Sequence, residues 1–206
     1  MSVAPSPAPA QLSPPPQQPM RRFSVDEYHR MIEAGILTEA DRVELLEGWI
    51  VAKMVHNPRH DATVDRTQDA LRRRLSSAWR VRVRSAITTP ESEPEPDIAV
   101  AIGPASRYEA RHPEPGEIAL LVEVAESSLP SDRGIKARLY ARAGIRQYWI
   151  VNVVDQVVEV HLLPTGAPTA AAAYGDIRPY ALGATLTLEV PDLLPIAIPV
   201  REFFLD

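Results

Sequence analysis

The sequence predicts an α/β fold with a mixed central sheet flanked by helices. Three observations carry this. Ile118 to Ala125 is apolar almost without interruption, the pattern of a strand covered on both faces. Val64, Thr67, Leu71, Leu75 and Ala78 recur at helical spacing. Helix-like and strand-like segments alternate along the chain, the order from which layered α/β folds are built.

The first 20 residues alternate Pro with Ala, Ser and Gln. Such a composition buries too little apolar surface to offset the cost of ordering a chain, so residues 1–20 are expected to be a disordered leader. Residues 21–206 are expected to form one domain. Ser24 with Glu27 makes a capping box, and Phe23 with Tyr28 a hydrophobic staple, which starts a helix running from Val25 to about Ala34 before Gly35. Val43 to Ala52 reads as a hairpin turning at Glu47-Gly48. A long amphipathic helix is predicted from about Arg59 to Ala78, with His60 at its start.

Val81 to Ile87 and Asp97 to Ile102 read as strands on either side of a Pro/Glu-rich turn. The Ile118–Ala125 strand follows, then a helix from about Ser131 to Ala143 that stops at Gly144. Gln147 to Val153 and Val157 to Leu163 are two further strands. Residues 164–180, rich in Ala, Pro and Gly, read as a loop. Thr185 to Val190 is expected to be a strand, and Pro199 to Phe204 a short helix.

The net charge of −5 argues against a surface that binds nucleic acid everywhere, although arginines crowd the stretch from Arg66 to Arg84. Among them Arg66, Arg73 and Arg74 are candidates for contacting nucleic-acid phosphates; a solvated helix face is the competing reading. The absence of cysteine excludes disulfides, thiolate metal sites and a cysteine nucleophile. No apolar run is long enough to form a membrane-spanning helix, and the N-terminus has no secretory pattern, so a cytoplasmic location is expected.

Glu123 interrupts the most apolar strand, where an ionised carboxylate is costly unless it is paired or holds a metal. Asp97 stands likewise at the head of an apolar strand. Two such carboxylates on neighbouring strands would make an oxygen-rich site suited to Mg²⁺ or Mn²⁺. Phosphodiester hydrolysis is chemistry that such an ion serves, and a nearby lysine would steady the developing charge.

The run from Val122 to Ser128, the block from Asp132 to Val151, Val43-Glu44-Leu45-Leu46-Glu47-Gly48, His60 and Pro96-Asp97-Ile98 together resemble the Uma-two family of restriction endonuclease-like proteins. That family falls within the PD-(D/E)XK nuclease superfamily, and the resemblance runs from about Phe23 to the C-terminus. It implies a restriction endonuclease-like core and a divalent-metal-dependent endonuclease acting on DNA, with Asp97 and Glu123 as metal ligands. Glu44, matching the family's glutamate, would be a third carboxylate, and Glu47 a solvated turn acid. The superfamily's lysine, two residues beyond the glutamate, is replaced by Ala125, so Lys136 on the next helix is expected to supply the amine. His60 can bind metal, contact phosphate or cap its helix, while Tyr140 and Trp149 are expected in the core. A homodimer is expected, since two related sites cut two strands. The competing readings are an eroded nuclease fold that binds nucleic acid or protein without cutting, and a hydrolase of other phosphate esters.

Overall fold

A computed structural model describes residues 19–166 and 171–204; the expected leader, apart from its last two residues, lies outside them. Helix α1 (Val25–Glu33) begins at the anticipated capping box, in which Ser24 Oγ accepts from the Glu27 N–H at 3.1 Å and Glu27 Oε2 from the Ser24 N–H at 3.0 Å. Strands β1 (Val43–Leu46) and β2 (Trp49–Ala52) pair antiparallel as a hairpin. Its two turn residues both take positive φ, 50° at Glu47 and 80° at Gly48, which matches the twist of a two-residue hairpin turn.

Helix α2 (Pro58–Arg72) starts at Asn57, whose side chain accepts from the His60 N–H at 3.0 Å, and Pro58 occupies the first turn. Its buried stripe includes Val64, Thr67 and Leu71. The helix ends six residues before the expected Ala78: Ser76 and Ser77 form a turn, closed by the Trp79 N–H on the Ser76 carbonyl, that feeds the next strand. Strand β3 (Trp79–Val83) therefore lies earlier than expected and stops where Arg84 turns to φ 45°. Strands β4 (Ile98–Ile102) and β5 (Ile118–Ala125) follow.

Helix α3 spans residues 129–142, with a π-helical stretch at Asp132–Lys136 between two α-helical parts. Strands β6 (Gln147–Asn152) and β7 (Val157–Thr165) agree closely with expectation. Strand β8 (Ala173–Ala181) does not: it falls in the second half of the segment predicted as loop and pairs antiparallel along β7. Its Ala, Gly and Pro content hides it, and Pro179 is tolerated because β8 is the sheet's last strand and its outer N–H groups need no partner. Strands β9 (Thr185–Leu188) and β10 (Ile196–Pro199) form a separate antiparallel ribbon, of which β10 was not expected. In place of the predicted terminal helix there is only a 3₁₀ turn, Val200–Glu202.

The main sheet has the order β3-β4-β5-β6-β7-β8, with only β5 and β6 parallel. Every residue of these two central strands is buried. One face packs on α2 and the β9–β10 ribbon through Val122, Val124, Trp149 and Val151, with Phe203 set edge-on against Trp149. The other packs on α3 through Leu121, Ala125, Tyr148 and Ile150. Alternation along β5 therefore turns Glu123 towards α3. No helix among the described residues is long and apolar enough to cross a membrane.

The hairpin turn is the tightest backbone constraint near the site. A Cβ on Gly48 would stand 2.7 Å from Arg22 Cβ and 3.1 Å from the Phe23 carbonyl oxygen, on a backbone already left-handed. Gly48→Ala is expected to lower the unfolding free energy by about 1–2 kcal/mol in urea titration; an unchanged midpoint would show that the turn can be rebuilt without cost.

Candidate active site

The register Ile98↔Val122 between β4 and β5 sets Asp97, one step before β4, opposite Glu123. Both carboxylates are buried, at 5% and 3% exposure, and both line a cleft of about 780 Å³. Glu44 reaches the same cleft from β1, its Oε2 accepting from the Glu95 N–H at 2.9 Å. Asp97 Oδ2 accepts from the Val124 N–H at 2.8 Å and lies 3.2 Å from His60 Nε2.

Lys136 comes from the far side. The Asp132–Lys136 stretch carries its amine to 2.9 Å from Glu123 Oε1 and 4.0 Å from Asp132 Oδ1. Tyr140, one turn on, donates its hydroxyl to the same Glu123 oxygen at 2.7 Å. Asp132 is fully buried; its Oδ2 accepts from Ser128 Oγ at 2.6 Å, while its Oδ1 has no hydrogen-bond partner. The π turn thus brings an acid, an amine and a phenol onto Glu123 from one helix.

Burial pushes the Glu123 carboxyl up to about 8; the Lys136 ammonium opposes this, and the Asp132 and Asp97 charges add to it. Asp132 rises to about 6, chiefly by burial. For Asp97, burial also favours the neutral acid, but the bond from His60 and the Val124 N–H more than reverse it, holding the carboxyl below its ordinary range. Burial disfavours the Lys136 ammonium too, yet the charges of Glu123, Glu44 and Asp132 outweigh it, and the amine stays protonated.

Glu44, Asp97, Glu123 and Asp132 are all buried, and one largely buried lysine stands among them. Such an excess of negative charge in a cleft open to solvent fits a divalent cation, and the donors are hard oxygens of the kind that hold Mg²⁺ or Mn²⁺.

Of the residues expected at the site, Glu44, Asp97, Glu123, Lys136 and His60 converge on this cleft. His60 does not cap its helix with its ring, which faces Asp97; the cap is Asn57. The arginines do not reach the site. Arg73 and Arg74 bind Glu202, at 3.0 Å for Arg73 and 2.6 Å for Arg74, about 20 Å along α2 from His60 at 1.5 Å per residue. Arg66 has a buried Nε with no hydrogen-bond partner and is not among the cleft residues.

Glu47 is not a solvated turn acid. It is 7% exposed, and Arg138 and Arg142 of α3 grip it at 2.7 Å and 3.0 Å. The bond from Arg138, working against burial, holds its carboxyl below the ordinary range. Trp149 is core, as expected; Tyr140 is equally buried but spends its hydroxyl on Glu123. Sequence reasoning also passed over His56 and Asp132. The four-residue spacing from His56 to His60 could have signalled the first; nothing marks the second except its spacing from Lys136.

The profile of the Uma2 family, described as "Putative restriction endonuclease", matches residues 25–199. No curated protein matches the chain. A crystal structure described as "a putative nuclease belonging to DUF820 from Anabaena variabilis ATCC 29413" superposes with a TM-score of 0.61 at 15% identity, covering 88% of this chain and 97% of that one. At that identity the likeness establishes the fold, which is restriction endonuclease-like. With the match extending over nearly all the described residues, the chain belongs to the Uma2 family.

Proposed function

We propose that this chain is a divalent-metal-dependent endonuclease that hydrolyses DNA phosphodiester bonds, with Asp97 and Glu123 as metal ligands, Glu44 assisting and Lys136 as the catalytic amine. The observation that carries this reading is the Lys136 amine 2.9 Å from Glu123, above a strand whose own lysine position holds Ala125. A helix lysine thereby supplies what the strand lacks. That contact favours cutting over a binding module, because an eroded site has no need to bury an amine among acids.

A bound Mg²⁺ or Mn²⁺ would supply Lewis acidity towards the phosphate and lower the pKa of a bound water. The chain's own residues do the rest. The Val124 N–H and His60 fix Asp97 Oδ2, and Tyr140 fixes Glu123 Oε1, so the ligand oxygens are aimed before a cation arrives. Protonated Lys136 is positioned to orient the attacking water and to donate to charge building on the phosphate. The cleft lining, rather than the far end of α2, supplies cations for the DNA backbone: Arg42, together with Lys53 and Arg84, which pair with Glu95 and Asp61 as Arg73 and Arg74 pair with Glu202. Two copies acting together would cut both strands of a duplex.

Supercoiled plasmid is expected to be nicked in Mg²⁺ or Mn²⁺, and Asp97→Ala or Lys136→Ala to reduce the rate by roughly 100-fold or more. Arg73→Ala with Arg74→Ala should leave it within about threefold. Nicking that survives Asp97→Ala would overturn the site assignment, and no nicking by the unaltered chain with any divalent metal would favour the binding module.

The buried acids also predict a pH dependence in EDTA. Glu123 and Asp132 hold protons more tightly folded than unfolded, so their contribution to stability is complete below about pH 4 and is lost as pH rises towards 8. Denaturant titrations between pH 5 and 8 are expected to show falling stability, on the order of 1 kcal/mol per pH unit. Glu123→Gln should flatten the slope.

A further inference from the structure

On the other side of Asp97 from Glu123 lies a second group of donors. His56 precedes α2 and His60 sits in its first turn; their rings are 4.2 Å apart between centroids, tilted by 42°. His56 Nδ1 is 3.2 Å from His60 Nε2, which is itself 3.2 Å from Asp97 Oδ2. One ligand atom from each of the three residues lies within 4.8 Å of the other two.

Hydrogen bonding alone accounts poorly for this arrangement. His60 Nε2 has room for one proton, yet both an imidazole nitrogen and a carboxylate oxygen face it. Ligand atoms about 2.0–2.1 Å from a tetrahedral ion stand about 3.3 Å apart, close to the spacing seen in both pairs. The other nitrogen of His60 adds an independent sign. Its Nδ1 is buried without a hydrogen-bond partner, and Asp61 Oδ1 is 3.6 Å away. A histidine that ligates through Nε2 carries its proton on Nδ1 and turns it towards a carboxylate or carbonyl. All three ligands line the cleft, so an ion has a path from solvent.

We propose that His56, His60 and Asp97 form a separate site for a borderline transition-metal ion of the Zn²⁺, Co²⁺ or Ni²⁺ class, distinct from the carboxylate site that Asp97 shares with Glu123. Two imidazoles and one carboxylate select such ions over Mg²⁺, which prefers oxygen donors and keeps its waters. The inference goes beyond the nuclease reading and does not need catalysis to hold. Asp97 belongs to both sites, so an ion at the histidines touches a ligand of the other.

The test is Co²⁺ titration of the full chain at pH 7.5, followed by the visible absorption of the bound ion and by calorimetry, with millimolar Mg²⁺ present throughout. One Co²⁺ per chain with a nitrogen-ligand spectrum is expected. His56→Ala and His56→Gln should each weaken binding by roughly tenfold or more. Glu123→Gln should leave it within about threefold. Co²⁺ affinity unchanged in both His56 variants, or weakened in Glu123→Gln as much as in His56→Ala, would overturn the proposal. Plasmid nicking is not read here, so its absence would overturn the preceding proposal and leave this one standing.

Discussion

The contact between Lys136 and Glu123 is the constraint around which the site is arranged. A carboxyl group in a fully buried strand is tolerable only with polar partners at close range, and the nearest of them comes from a different layer of the fold. Sheet and α3 are therefore held at one separation and one rotation. Tyr140 fixes the same oxygen from one turn away, and Asp132 sets the charge that the ammonium must balance. The cleft keeps its electrostatic character only while these three side chains stay on one side of the helix.

The sheet supplies the other half. Antiparallel pairing of β4 with β5 puts Asp97 beside Glu123; Glu123 meets Lys136 and Tyr140 of α3, while Asp97, one step before β4, meets His60 of α2. The hairpin brings Glu44 to the same end of the sheet. Arg138 and Arg142 of α3 then clamp Glu47 at the hairpin turn, so the element that bears Lys136 also holds the element that bears Glu44. Glu47 holds two arginines of α3, and Arg142 also binds Glu91 at 2.9 Å, so the clamp is a network in which loss of one member leaves the others paired.

How far the sequence could be read depended on the range of the interaction involved. Strand β5 was legible to its last residue because double-sided burial demands an unbroken apolar run, and α1 because a capping box is a local pattern. Asp97 and Glu123 stood out since a charge in such a run needs a reason. Strand β8 was not legible: an edge strand facing solvent needs little apolar content, and Pro179 argues for a loop unless the neighbouring strand is known. Glu47 is not legible as a buried acid, nor Arg73 and Arg74 as partners of Glu202, for one reason: the partners lie far off in sequence, at Arg138 and Arg142 in one case and at Glu202 in the other. His56 is marked only by its four-residue spacing from His60, a weak signal for a residue that lies just outside the helix.

The π-helical stretch at Asp132–Lys136 has a consequence for how this helix can change. Its longer turn accommodates one residue more than a regular helix would use, so losing that residue would restore a regular helix with the turns on either side left in place. Tyr140 would stay on Glu123, and Arg138 and Arg142 on the hairpin, while the residues within the stretch, Asp132 and Lys136 among them, would be re-spaced. The lysine's place and the hairpin's anchor are thus separable: a single deletion in this stretch alters the first and spares the second.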